Sequence, residues 1–220
     1  MVSALLFDLD GTLLHSDPLH RRVFAEILAP SGRVVDDAFY AAHIHGRHNL
    51  ETFAALLPGE DAAWWDVEKE ARFRRLLAQE GATPLPGLTT LLDRAAAAGL
   101  PVAVATNAAQ ENAEAMLEAI GLRARFEVVV CADQVAAPKP APDVYLTAAR
   151  RLGADPARAL AFEDSPSGLA AARAAGCTVV GLATGLSPET LRAKGATHVI
   201  TDYTDPGLDV LLGITRGAHA

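Results

Sequence analysis

SALLFDLDGTL, residues 3–13, runs four apolar residues into two aspartates that are one leucine apart. A short continuous apolar run reads as a strand covered on both faces. Its end is the unusual part. Asp8 and Asp10 repel each other at this spacing, and burial raises the cost of ionising both. A cation would resolve the conflict. Gly11 and Thr12 follow as turn chemistry.

Beyond residue 84 the same kind of apolar run recurs between helical patterns. LTTLLDRAAAAG precedes PVAVAT, and a helix ending near Gly121 precedes EVVVC. DVYLTAARRLG precedes ALAFED, GLAAARAAG precedes TVVGLA, and a short helix from Ser187-Pro188 precedes THVI. Strands without polar alternation, separated by helices, predict a parallel sheet with helices on both faces. Ligands bind such sheets at the carboxyl ends of the strands. Three of those ends carry polar or acidic residues: Asp8, Thr106-Asn107 and Glu163-Asp164-Ser165.

Between the first strand and this region lies a helical insertion. Asp17-Pro18 reads as an N-cap followed by proline at the first helical position. Phe24, Ile27 and Leu28, then Phe53, Leu56 and Leu57, recur at helical spacing. The long segment DAAWWDVEKEARFRRLLAQEG stops at Gly81. Three or four packed helices are expected between residues 17 and 81, with Trp64 and Trp65 in their core. The two ends of the insertion should meet at a two-stranded hinge, and TPLPG, residues 83–87, closes it with linker chemistry.

The chain has 220 residues, 50% of them hydrophobic, and a formal charge of −8. Its three lysines, Lys69, Lys139 and Lys194, are far apart, so no basic stripe offers itself to nucleic acid. An anionic substrate would have to be attracted by local groups. Cys131 and Cys177 at the edges of apolar runs read as buried free thiols of a reducing compartment. Asp8 interrupts the first apolar run too early for a signal peptide, and no run of about 18 apolar residues suggests a membrane helix. A cytoplasmic monomer without a membrane partner is the expectation.

Singly, each strand-end signal has a plain explanation: an Asx-turn at Asp8, a solvated loop lysine at Lys139, helix capping at Glu163-Asp164-Ser165. Together and in order, FDLDGTL (7–13), AVATN (103–107), KPAPD (139–143) and FEDSPSGLAAARAAG (162–176) resemble the four motifs of the haloacid dehalogenase-like hydrolase superfamily. The insertion resembles the α-helical cap of the subgroup that holds β-phosphoglucomutase and phosphoglycolate phosphatases. The resemblance implies an α/β fold, with a Rossmann-like doubly wound parallel sheet core over residues 1–15 and 84–220. The cap would occupy residues 16–83.

It also implies an enzyme that hydrolyses a small phosphorylated metabolite with Mg²⁺. Asp8 would be the nucleophile that forms an aspartyl-phosphate, and Asp10 the general acid and then base. Asp8, the backbone carbonyl of Asp10 and Asp164 would hold the metal. Glu163 would act through a water or toward Lys139. Thr106, the Asn107 backbone N–H and Lys139 would meet the phosphoryl group.

The presence of Asp10 favours phosphoryl–oxygen chemistry over dehalogenation, and no lysine precedes Lys69 to serve a phosphonate-cleaving Schiff base. The mutase alternative stays open through His20, at the position of the hinge histidine. However, HGRHN, residues 45–49, stands where the mutase has Lys-Gly-Val-Ser-Arg, so His45 and Asn49 replace its lysine and arginine. Gly46 and Arg47 of this loop are candidate substrate contacts. Lys69 either faces substrate or is a solvated lysine of the VEKEAR run. His43, His45 and His48 offer metal-ligand spacing without an acidic or thiol partner, and substrate-facing or surface roles suit them better. A non-catalytic binding protein on the same fold is the remaining class, and the intact Asp8, Asp10, Lys139 and Asp164 argue against it.

Overall fold

The computed structural model describes residues 2–44 and 47–213. Strand β1 (Ala4–Phe7) is followed by four helices, α1 (Asp17–Leu28), α2 (Asp37–His43), α3 (Asn49–Leu56) and α4 (Ala62–Glu80). Alternation then sets in: α5 (Leu88–Ala97), β2 (Val102–Ala105), α6 (Gln110–Ala119), β3 (Val128–Val130), α7 (Asp143–Arg151), β4 (Ala159–Glu163) and α8 (Pro166–Ala174). It ends with β5 (Thr178–Leu182), α9 (Pro188–Ala193), β6 (His198–Ile200) and α10 (Gly207–Leu212). The chain divides into two compact units, Met1–His15 with Thr83–Ala220, and Ser16–Ala82.

The strands of the first unit form one parallel sheet in the order β3-β2-β1-β4-β5-β6. This is the doubly wound arrangement, and its order reverses between β1 and β4. At such a switch point the flanking connections leave toward opposite faces, which opens a crevice beyond the strand ends. Phe7 pairs with Phe162, and the Asp8 N–H donates to the Phe162 carbonyl at 3.0 Å. The ladder therefore stays closed up to Asp8 and carries it beside the end of β4.

In-register residues share a face of the sheet. Leu6, Ala103, Ala161 and Val179 line one, under Val144, Tyr145, Ala148 and Ala149 of α7 and Leu169, Ala171 and Ala172 of α8. The many alanines let both helices lie close to the strands. On the opposite face Phe7 stacks on Phe162 with ring centroids 4.7 Å apart, and Phe126 and Tyr203 pack edge-on to Phe7. Burial on both faces is the reason the strands lack polar alternation.

The strand pairing expected at the ends of the insertion is reduced to one antiparallel bridge, Leu14 with Pro84, and one hydrogen bond from Leu85 N–H to the Leu13 carbonyl at 2.8 Å. Pro84 and Pro86 have no N–H to extend a ladder. Cys131 and Cys177 are free and buried, and burial pushes their pKa values up to about 12 and about 11. Among the described residues no helix is long and apolar enough to cross a membrane.

The second unit is built on α1, α3 and α4, with Phe24 stacked on Phe53 at 5.2 Å and Phe73, Leu76 and Leu77 buried. Helix α1 begins one residue earlier than its sequence suggests: Ser16 flanks it, and Asp17 and Pro18 are its first two residues. Asp61 caps α4 by accepting from the N–H groups of Ala63 and Trp64, and Gly81 ends it with φ 69°. The expectation that both tryptophans belong to the core is corrected. Trp64 is 54% exposed, while Trp65 stacks on Phe53. The buried stripe of α4 runs through Lys69, Phe73, Leu76 and Leu77, and Trp64 lies off it.

The stacked pair at the centre of the sheet gives the first test. Phe162→Ala should lower unfolding free energy by about 3–5 kcal/mol in urea titrations. Leu146→Ala, on the exposed side of α7, should change it by no more than about 0.5 kcal/mol. Equal effects would mean that the Phe7–Phe162 stack does not hold the sheet.

Candidate active site

The loop after β1 carries the two aspartates in a tight turn. The N–H groups of Thr12 and Leu13 donate to the Leu9 carbonyl, and Gly11 N–H donates to Leu14. Neighbouring segments pin this turn from three sides. The Thr184 hydroxyl donates to the Gly11 carbonyl at 2.7 Å, the Tyr203 hydroxyl to the Thr12 carbonyl at 3.0 Å, and the Thr12 hydroxyl to Asp164 Oδ1 at 3.4 Å. Gly11 has φ 70°, and a Cβ there would overlap the Asp164 carboxylate. Glycine is required both for the left-handed backbone and for the closeness of β1's loop to Asp164.

Lys139 lies in the segment before α7 and is buried. Its Nζ donates to Asp8 Oδ1 at 2.5 Å and to Glu163 Oε1 at 2.6 Å, and lies 5.0 Å from the Tyr145 ring centroid. The main chain of Lys139 is clamped as well. Asn107 Oδ1 accepts from Lys139 N–H at 2.8 Å, and Asn107 Nδ2 donates to the Lys139 carbonyl at 3.2 Å.

Glu163 is wholly buried and saturated. Oε1 accepts from Lys139 and from the Tyr145 hydroxyl at 2.8 Å. Oε2 accepts from the N–H groups of Asp164 and Ser165 and from the Ser165 hydroxyl, at 3.1–3.2 Å. Ser165 also caps α8, its Oγ accepting from Gly168 N–H. A Cβ on Gly168 would overlap the Glu163 carboxylate, so α8 can begin here only with glycine at that position.

The charges do not balance. Asp8, Glu163 and Asp164 each bring a carboxylate oxygen within 4.8 Å of the others, and Lys139 is the buried cation against them. Burial pushes Asp8 up to about 8 against the pull of Lys139, with repulsion from Glu163 and Asp10 adding to it. Burial, then repulsion from Asp8 and Glu163, holds Asp164 well above the usual carboxylate range. Burial disfavours the Lys139 ammonium, yet Asp8 and Glu163 outweigh it and push its pKa above the ordinary value. Hard oxygen donors with excess negative charge suit a divalent cation such as Mg²⁺. Asp8 and Asp164 are the ligands that fit. The oxygens of Glu163 are already taken by five donors, which turns it toward Lys139 and the backbone rather than toward a metal.

Thr106 is buried, and its Oγ accepts from Ala108 N–H at 3.0 Å, which leaves its own proton to donate. In the helical unit His20 and Lys69 come together, Lys69 Nζ lying 2.9 Å from His20 Nδ1. His20 stacks on Phe73 at 4.0 Å, and Lys69 Nζ donates to Glu70 at 2.7 Å. Lys69 is 4% exposed, so the solvated reading is overturned. Arg47 is exposed, with its guanidinium on the Ala42 carbonyl at 3.1 Å. His45 and Gly46 lie outside the described residues, and His43 and His48 take part in no metal-ligand cluster among the described residues.

Two participants are silent in the linear sequence. Tyr145 reads as one more apolar position of α7, and the Asn107 side chain reaches a partner 32 residues away.

The haloacid dehalogenase-like hydrolase family model matches residues 2–176. Protein CbbY of Rhodobacter capsulatus is 38% identical over 194 residues, covering 81% of this chain and 84% of that protein. Fructose-1-phosphate phosphatase YqaB of Escherichia coli is 34% identical over 184 residues, covering 81% of this chain and 95% of that protein. Among solved structures, a mutant CbbY from Rhodobacter sphaeroides in complex with xylulose-(1,5)bisphosphate has a TM-score of 0.81 and 33% identity, covering 94% of this chain and 97% of that chain. The chain is an enzyme and belongs to the haloacid dehalogenase-like hydrolase family, in its CbbY- and phosphoglycolate-phosphatase-like subgroup.

Proposed function

We propose that the protein is a Mg²⁺-dependent phosphatase that hydrolyses a small phosphate monoester, a sugar phosphate or similar metabolite, through an aspartyl-phosphate on Asp8. The observation that carries this reading is the buried contact of Asp8 with Lys139 beside Asp164 at the switch point of the sheet. An Asx-turn aspartate needs no buried lysine.

Asp8 attacks phosphorus, and the ester oxygen leaves with the bonding pair. Asp10, in the turn two residues on, gives that oxygen a proton. Asp10 then takes a proton from a water that attacks the aspartyl-phosphate, releasing orthophosphate and restoring Asp8. Lys139 and the Thr106 hydroxyl donate to the phosphoryl oxygens, with the Asn107 backbone N–H beside them. Asp8, Asp164 and the Asp10 carbonyl would hold Mg²⁺, which would supply charge neutralisation between two anionic reactants.

Water as the acceptor, rather than a second sugar hydroxyl, is supported by the helical unit. Asn49 stands where the mutase has arginine, and its amide is engaged with Asp66 at 2.8 Å and Glu70 at 2.6 Å. The Lys69 ammonium is paired with Glu70, whose carboxyl is held below the usual range as Lys69, His20 and Asn49 outweigh its burial. Asn49 is uncharged, and the charge of Lys69 is already engaged by Glu70. A fructose-1-phosphate phosphatase among the relatives supports a sugar phosphate.

Asp8→Asn should keep the fold and lose nearly all turnover of an aryl phosphate. Substantial activity in that variant, with deamidation excluded by mass spectrometry, would remove the covalent mechanism. Against sugar monophosphates the enzyme should release phosphate. Conversion of β-glucose 1-phosphate to glucose 6-phosphate without release would instead make it a mutase.

Proton linkage gives a third test. With Asp8 raised to about 8, the folded metal-free protein holds a proton that the unfolded chain has released above its ordinary value of 3.8. The folded state thus binds more protons across that window, and this group's contribution to stability falls as pH rises through it. A cation binds the ionised carboxylates, so the Mg²⁺-induced rise in Tm should be larger at about pH 8 than at about pH 6. It should shrink in Asp164→Ala. An increment independent of pH would mean that Mg²⁺ does not bind at this cluster.

A further inference from the structure

We propose that Tyr145 is a positioning residue for phosphoryl transfer, acting on Lys139 through Glu163; the proposal rests on the phosphatase reading above. A buried tyrosine hydroxyl needs a partner, so a hydrogen bond alone would carry no meaning. The partner here is the same oxygen, Glu163 Oε1, that accepts from Lys139 Nζ. The ring of Tyr145 lies beneath that Nζ, 5.0 Å from centroid to nitrogen. Tyr145 thus touches both members of the pair, once by its O–H and once by its π face.

The consequence follows from the position of Nζ. It sits between two carboxylate oxygens, 2.5 Å from Asp8 and 2.6 Å from Glu163. Whatever strengthens the pull of Glu163 draws the ammonium off the nucleophile and the incoming phosphoryl group. Glu163 itself cannot move to adjust the balance, because three donors hold Oε2 and Gly168 is packed against the carboxylate. The Tyr145 O–H divides the charge of Oε1 between two donors and so weakens its hold on Lys139. The ring keeps the ammonium from swinging toward α7, since a cation over an aromatic face is stabilised where it lies. Tyr145 is 0% exposed and fixed in the first turns of α7, so neither contact costs side-chain freedom during turnover.

The test measures p-nitrophenyl phosphate turnover at saturating Mg²⁺ for wild type, Tyr145→Phe, Tyr145→Leu and Glu163→Gln, and for Tyr145→Phe combined with Glu163→Gln. Thermal melts accompany each variant. Tyr145→Phe keeps the ring and should lower kcat about tenfold, the scale of a support removed from behind a reacting group, with KM nearly unchanged. Tyr145→Leu should lose more, and Phe should restore part of that loss. In the Glu163→Gln background, Tyr145→Phe should change kcat by less than about twofold, because the hydroxyl then has no ionised oxygen to share.

A Tyr145→Phe kcat equal to wild type, a rise in KM alone, or the same loss in both backgrounds would overturn the proposal. Loss of Tm without loss of kcat would make Tyr145 a packing residue only. If Tyr145→Leu does not fold, the Phe comparison decides, since it removes a single oxygen. A wild type that releases no phosphate defeats the phosphatase reading itself. An active wild type beside an unaffected Phe variant defeats only the role of Tyr145.

Discussion

One ammonium held among buried carboxylates is the constraint on which the rest of the core depends. Lys139 bonds Asp8 and Glu163 together, and Asp164 stands close by. Breaking a buried pair by removing one partner leaves an uncompensated charge and is strongly destabilising. Every nearby feature therefore serves to keep donors on these oxygens. Ser165 caps α8 and supports Glu163 with one hydroxyl. Gly11 and Gly168 give way to carboxylates where a methyl group would not fit. Asn107 fixes the main chain of Lys139 from the end of β2.

The sheet supplies the frame. Its order reverses between β1 and β4, so the ends of those two strands open on the same crevice while their helices cover opposite faces. The stacked Phe7 and Phe162 sit one residue before Asp8 and Glu163 respectively. Packing at that aromatic pair sets the spacing of the two carboxylates. This is a short path from an apolar contact to an electrostatic one, and it explains why rigid strand ends rather than loops hold the charges that repel most.

Much of this was legible in the sequence. The strands announced themselves because burial on both faces leaves no polar alternation, and the site announced itself because Asp8, Thr106 and Asp164 end or follow such strands. Lys139 was legible only through the order of the motifs, since an isolated lysine in a proline-rich segment has no local signature. Tyr145 was not, because its helix is amphipathic and an inward tyrosine satisfies the same period as leucine. The Asn107 amide was hidden by distance along the chain. Trp64 misled for the opposite reason: aromatic bulk suggests burial, but the stripe of α4 passes through Lys69 and Phe73 instead. Lys69 shows that a charge run can conceal a buried member once a histidine and a glutamate are there to meet it.

The chain as a whole is anionic, with a formal charge of −8. A phosphate ester is thus not drawn in by the overall field, and the local donors must do the work. Their state before substrate arrives is what matters, because a donor that must first be freed or turned costs reorganisation at the moment of reaction. Lys139 has three protons, and two are committed to Asp8 and Glu163. Thr106 accepts from Ala108 and keeps its own proton. The Asn107 side chain is occupied with Lys139, so it can neither rotate toward the substrate nor compete for it. The same contacts that offset the cost of burying charge leave one proton on Lys139 and one on Thr106 uncommitted. Stability and preorganisation are supplied here by one set of hydrogen bonds.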